Sequence, residues 1–162
     1  MITVDDLRLF CGRTIAGTLV AVDRLGDELV NLRPSHRGAN TPFQLVTHAF
    51  SAAEWWCAHV ILGQPSNRVR DDEFHACGSV AELHAAAQRL LDLLDELAPE
   101  LTVATATVHQ PATETPLGQD WTVGAALIHA YEELAQHLDR DRRGHLCAGH
   151  LEVTVDVLLA DF

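Results

Sequence analysis

The sequence predicts an all-α protein, a four-helix bundle with one long crossover connection and a short fifth helix at the C-terminal end. Four segments repeat apolar residues every three to four positions, and each follows a Ser or Thr that can cap a helix. The Thr- and Pro-rich stretch 101–120 separates the third segment from the fourth and predicts the crossover. A chain of 162 residues can bury a core of its own, so we expect a single domain over 1–162.

The first predicted helix covers the first 33 residues. It begins at a capping box of Thr3 and Asp6, and Pro34 ends it. One apolar stripe faces the core along the whole length of this helix. It consists of Leu7, Cys11, Ile15, Leu19, Val22, Leu25 and Leu29.

The second predicted helix follows a polar connection. Thr41 supplies the N-cap, Pro42 occupies the first helical position, and the helix runs to about Gly63. It is apolar almost all round, which is typical of an inner helix of a bundle. Residues 63–78 are polar and charged with little periodicity, which predicts a loop across one end of the bundle.

The remaining predicted helices follow the same rules. A capping box at Ser79 opens the third helix, which Pro99 ends. The crossover 101–120 is expected to hold a short strand near 101–108. Thr122 caps a fourth helix from 123 to about 138, and a shorter fifth segment, 151–159, closes the chain.

Composition excludes several classes of function. The chain has 23 acidic residues against 11 basic ones, a formal charge of −12, and this argues against a nucleic-acid partner. All 11 basic residues are arginine, which removes Schiff-base chemistry and the lysine of phosphate-binding loops. Four widely spaced cysteines without a CxxC pair, no apolar membrane-spanning stretch and no leader predict a cytoplasmic protein with free thiols and no membrane contact.

The candidate chemistry lies on the fourth helix. His129, Glu133 and His137 stand four residues apart, so their side chains share one helix face and neighbours can converge on one metal ion. A third ligand must come from a facing helix, and His48 is the best candidate. Spacing alone leaves open whether Glu133 pairs with His129 or His137, and whether these residues form a solvated polar face instead. Because no Glu-x-x-His occurs, we expect one mononuclear site rather than a di-iron centre.

Three blocks of the chain carry a resemblance to a known family. They are Thr47-His48, the segment 63–74 with Arg68, and the block 121–137. Together they resemble the DinB-like superfamily, and most of all the group related to mycothiol-dependent maleylpyruvate isomerase and the mycothiol S-transferases. The resemblance implies a bundle of up-down-down-up type with a divalent metal at one end, held by His48, Glu133 and His137.

The resemblance also implies an activity. Two imidazoles and one carboxylate leave coordination positions open, where a low-molecular-weight thiol can bind as a metal-bound thiolate and attack an electrophile, as in detoxification. Zinc is the favoured ion, and nickel, iron and manganese accept the same ligands. Mycothiol is the favoured thiol, since the all-arginine composition suits a GC-rich source. The alternatives are a mycothiol-dependent isomerase and a stress-response protein that binds a metal or ligand without turnover.

Other residues are predicted to surround the metal. His129 is placed beside the ligands, in contact with them or with substrate, and Trp55 or Trp56 is expected to share the face of His48. Arg68 is a candidate contact for the thiol. The sequence departs from the family after His137, where residues 139–148 form an insertion. The expected partners are a small-molecule thiol and an electrophile, and the oligomeric state is left open between monomer and homodimer.

Overall fold

The computed structural model describes residues 2–35, 38–97, 100–111 and 120–142, and of residues 137–142 only the backbone. Within these ranges the protein is mostly helical and contains no strand. A π-helical segment, Trp55–Ile61, continues the second helix without a break. The α-helices are α1 (Val4–Val30), α2 (Pro42–Glu54), α3 (Arg70–Glu73), α4 (Val80–Asp95) and α5 (Val123–Arg142).

Four of the helices share one apolar core. α1 and α2 each pack against both α4 and α5, and the π-helical segment also contacts α5. The buried side chains between them are mainly Leu, Val, Ala and Phe, with Ile15, Leu90 and Leu127 among the most enclosed. The mostly helical prediction is confirmed, and the up-down-down-up order stays a prediction. Among the described residues, no helix is both long enough and apolar enough to cross a membrane.

Reciprocal capping boxes open three of the helices. In each, the cap hydroxyl accepts the N3 backbone N–H, and the N3 side chain accepts the cap backbone N–H. The bond from the Ser79 N–H to the Glu82 carboxylate, 2.7 Å long, holds the pKa of Glu82 below its ordinary value. The boxes pair Thr3 with Asp6, Thr41 with Gln44 and Ser79 with Glu82.

The first helix departs from its predicted apolar stripe near its end. Gly26 has φ 67° and ψ 175°, a conformation outside the helical region that interrupts α1 one turn before it ends at Val30. The interruption changes the helical phase, so Leu29 is 40 % exposed and Val30 is fully buried. The prediction that Leu29 belongs to the core stripe is therefore wrong.

The segments predicted as a loop and as a strand also differ. Residues 70–73, inside the predicted loop, form the single turn α3, which packs on α2. No strand forms over 101–108. Instead, Val123 and Gly124 donate their backbone N–H groups to the carbonyls of Thr105 and Val103, at 2.8 and 3.0 Å. The crossover thus satisfies the first N–H groups of α5 rather than pairing with another strand.

The C-terminal end of α5 extends beyond the predicted boundary. The fourth helix was expected to end near residue 138, and α5 continues to Arg142. The first four residues of the predicted insertion 139–148 therefore continue this helix. The rest of that insertion and the predicted fifth helix, 151–159, lie outside the described residues.

Replacing Gly63 with alanine tests the turn that follows the π-helical segment. Gly63 has φ 72°, and a Cβ atom there would lie 2.6 Å from Cγ1 of Val108. Because both the left-handed backbone and the overlap oppose a side chain, we expect Gly63→Ala to lower the free energy of unfolding by about 2–4 kcal/mol in urea titrations.

Two other glycines provide controls for this measurement. Gly26 has open space around it, so Gly26→Ala carries no overlap, and its nearly glycine-restricted conformation (φ 67°, ψ 175°) alone should cost about 1–3 kcal/mol. Gly12 is helical and meets Leu91 at an ordinary 3.8 Å, so Gly12→Ala should be neutral or stabilise the protein by up to about 1 kcal/mol. Equal stability of all three variants would contradict the assigned turn.

Candidate functional site

The predicted site residues of α2 and α5 meet where these helices pack together. His48 is only 5 % exposed on α2, and Glu133 reaches it from α5. The distance from His48 Nε2 to Glu133 Oε2 is 3.7 Å, and His129 Nε2 lies 3.5 Å from Glu133 Oε1. The structure therefore gathers two imidazoles around one carboxylate.

The other ring nitrogen of His48 faces a residue that the sequence reasoning missed. His48 Nδ1 lies 2.6 Å from Oε2 of Glu73, which belongs to α3 and is 6 % exposed. Arg68 donates to both oxygens of the same carboxylate, from Nε to Oε1 at 2.6 Å and from Nη2 to Oε2 at 3.0 Å. Arg68 is thus linked to His48 through the Glu73 carboxylate.

The sequence offered a weak signal for Glu73. It ends the acidic run of residues 71–73, and such runs are usually solvated, as Asp71 and Asp72 are here. The distinguishing neighbour is Phe74, whose ring packs 4.7 Å from the ring of His48. The aromatic residue that follows Glu73 is the sequence feature that distinguishes it from Asp71 and Asp72.

Aromatic side chains border the His129 side of the site. The ring of Trp56 lies 4.6 Å from His129 and 4.5 Å from Trp121. Of the two predicted tryptophans, Trp56 therefore borders the site, whereas Trp55 packs between Trp56 and His59. Trp121 was not predicted. Its buried indole nitrogen has no hydrogen-bond partner among the described residues.

His137, the third predicted ligand, lies on α5 one turn after Glu133. Its side chain is outside the described part of the structure. The choice between His129 and His137 as the partner of Glu133, which spacing left open, is therefore still open. The described geometry adds that His129 is close enough to Glu133 to share an ion with it.

The donor atoms are of the types that a divalent cation accepts, although the described residues alone do not form a group of three ligands. Two ligand atoms that each lie about 2.1 Å from one ion are about 3.0–3.4 Å apart at ordinary coordination angles. The separations of 3.5 and 3.7 Å are close to that range and long for hydrogen bonds. Imidazole nitrogen and carboxylate oxygen suit zinc and its first-row neighbours. The donor types of His48, His129 and Glu133 are therefore compatible with a divalent ion, and the metal site stays a prediction.

Two of the three cysteines in the described ranges are poorly suited to act as nucleophiles. Burial raises the pKa of Cys11 to about 12, and it raises the pKa of the fully enclosed Cys57 well above the ordinary thiol value. The thiolate is the reactive form, so neither thiol is activated near neutral pH. Cys77 is exposed.

Alkylation of the native protein tests this contrast. At pH 8, brief treatment with iodoacetamide should modify Cys77 and leave Cys11 and Cys57 unmodified in peptide mass spectra. All three should react once the protein is unfolded in urea, which serves as the control. Rapid modification of Cys57 in the folded protein would contradict its assigned burial.

Comparison with known proteins identifies a family. A family model described as the DinB superfamily matches residues 12–139, a range that includes His48, Glu73, His129, Glu133 and His137. No curated protein matches the chain. The family match covers well over half of the 162 residues, so this protein belongs to the DinB superfamily.

Proposed function

We propose that this protein is a divalent-metal-dependent thiol S-transferase in which His48, Glu133 and His137 hold the ion. The observation that carries the proposal is the approach of His48 Nε2 to the Glu133 carboxylate, 3.7 Å away across two packed helices. Two potential ligands from separate helices meet at a spacing that suits one ion. Membership of the DinB superfamily supports the same interpretation.

The chemistry of the donor set favours a catalytic ion over a structural one. Structural zinc sites are closed by four protein ligands, whereas three leave a position for a small molecule. Two neutral imidazoles and one carboxylate carry one negative charge, so a divalent ion keeps a net positive charge that attracts an anion. When bound, such an ion would lower the pKa of a thiol cosubstrate and thereby supply a thiolate nucleophile.

The surrounding side chains define the environment of the reaction. Trp56 and Trp121 place apolar surface beside His129, which excludes water there and favours an electrophile with an apolar body. His129 contacts the Glu133 carboxylate and orients it toward His48.

Mycothiol is the thiol that we propose first, and zinc the ion. The block 121–137 and the segment 63–74 resemble the mycothiol-dependent group, and the all-arginine composition agrees with a GC-rich source. Nickel, iron and manganese accept the same donors, so the choice of metal rests on affinity and supply.

Metal binding can be measured directly by calorimetric titration of metal-free protein with Zn²⁺. We expect one ion per chain, and we expect His48→Ala and Glu133→Ala each to weaken binding more than about 100-fold, beyond the range typical of residues that only orient a ligand. His137→Ala should do the same, while His129→Ala should weaken binding less.

A matched control is His84→Ala, since His84 is a half-exposed histidine that pairs with Asp23 away from the site. It should bind Zn²⁺ as tightly as the unmodified protein. Wild-type affinity in the His48→Ala protein would show that the proposed site is wrong. If His129→Ala weakens Zn²⁺ binding more than His137→Ala does, then His129 is the ligand beside Glu133 and His137 is the neighbour.

Thiol transfer is tested by conjugation of monochlorobimane, followed by fluorescence. With Zn²⁺ present, we expect turnover because the proposed site takes a thiol as its fourth ligand. Turnover with mycothiol should exceed turnover with bacillithiol or glutathione, because the blocks 63–74 and 121–137 resemble the mycothiol-dependent group. A chelator or Glu133→Ala should reduce the rate to that of the uncatalysed reaction. Zinc binding without conjugation of any of the three thiols would favour the non-catalytic binding protein instead.

A further inference from the structure

We infer that Glu73, held by Arg68, is a positioning residue that directs the Nε2 lone pair of His48 toward the ion. The inference rests on the proposed function, because it assigns a role around the same metal site. Glu73 is not one of the candidate ligands, and its role does not depend on the choice between His129 and His137.

The hydrogen bonds around Glu73 determine which nitrogen of His48 carries the proton. A carboxylate that receives two bonds from a guanidinium is ionised, and an ionised carboxylate only accepts hydrogen bonds. The proton between His48 and Glu73 therefore sits on Nδ1, at 2.6 Å from the acceptor. Nε2, on the opposite side of the ring, is the nitrogen that faces Glu133 and can bind an ion.

The position of Glu73 in turn depends on Arg68. A carboxylate that is 6 % exposed is costly to bury without a partner, and Arg68 supplies that partner with a two-bond contact. Arg68 and Glu73 belong to the same short stretch around α3, so the pair forms as one local unit. Phe74 packs against the His48 ring from the same stretch and limits its rotation.

An ordinary structural ion pair would not need His48. Arg68 already makes two bonds to Glu73, which is sufficient to anchor the loop before α3. The third bond goes to a buried imidazole whose other nitrogen faces the Glu133 carboxylate, and this is the arrangement in which a carboxylate orients a metal-binding histidine. This difference makes the role testable.

The decisive variant is Glu73→Gln, with Asp72→Asn as its matched control. In the variant, one neutral amide oxygen replaces two charged carboxylate oxygens, so the side chain cannot accept both bonds from Arg68 and its acceptor for the Nδ1 proton of His48 is lost or weakened. Asp72 loses the same charge on the same turn but is exposed. We expect Glu73→Gln to weaken Zn²⁺ binding about 10–100-fold, and Asp72→Asn to change it less than about twofold.

A second measurement does not require metal. In metal-free protein, the Nδ1 proton of His48 should give a low-field, slowly exchanging ¹H resonance, as expected of a short bond to a carboxylate. The resonance should persist in Asp72→Asn and be absent in both Glu73→Gln and His48→Ala. Thermal unfolding of each metal-free variant checks its folding. If Glu73→Gln is unfolded, the pair Glu73→Gln with Arg68→Gln, which leaves no lone charge, replaces it.

The outcomes separate this inference from the proposed function. Unchanged Zn²⁺ affinity and an unchanged low-field resonance in the folded Glu73→Gln protein would overturn the positioning role and leave the metal site in place. If wild-type protein binds no metal, the proposed function fails, and the resonance still decides whether Glu73 sets the proton of His48. Weakened binding together with loss of the resonance supports the inference.

Discussion

The hydrogen bond between His48 and Glu73 is the interaction on which the site depends. It joins an inner helix of the core to the short helix α3, and it compensates two polar side chains that are almost fully buried. Arg68 completes the compensation by neutralising the carboxylate. With both groups satisfied, His48 can stay within an otherwise apolar helix and present its second nitrogen to α5. The contacts from Arg68 through Glu73 to His48 therefore allow a polar residue to lie where α2 packs against α5.

The π-helical segment sets the aromatic border of the same site. Its wider turns include the bond from the N–H of Leu62 to the carbonyl of Cys57, five residues earlier. Trp56, the second residue of the segment, lies against His129 and Trp121. Trp55, the adjacent residue, packs against His59. Of the two tryptophans, Trp56 is therefore the one that borders His129.

Much of the helical frame could be predicted from sequence, because capping and apolar periodicity are local signals. The caps at Thr3, Thr41 and Ser79 are confirmed, and His48 and Glu133 face each other as their helices predicted. Other features of the structure could not be predicted from the sequence. The burial of Glu73 follows from its contact with His48, 25 positions away, while neither capping nor apolar periodicity marks the phase change at Gly26 or the winding after Glu54. The strand predicted near 101–108 does not form, because backbone carbonyls of this stretch accept hydrogen bonds from the first N–H groups of α5.

The burial of Cys11 and Cys57 would have a consequence under the proposed function, in which the protein meets reactive electrophiles. Such compounds alkylate the nucleophiles of any protein they meet, chiefly thiolates and lysine amines. This chain has no lysine, and two of its thiols are both enclosed and protonated near neutral pH. The core is thereby resistant to self-inactivation by reactive substrates. Under the proposed function, the sulfur nucleophile belongs to a diffusible cosubstrate and is renewed with every turnover, so the enclosed thiols are spared and only the exposed Cys77 of the described cysteines meets the electrophile.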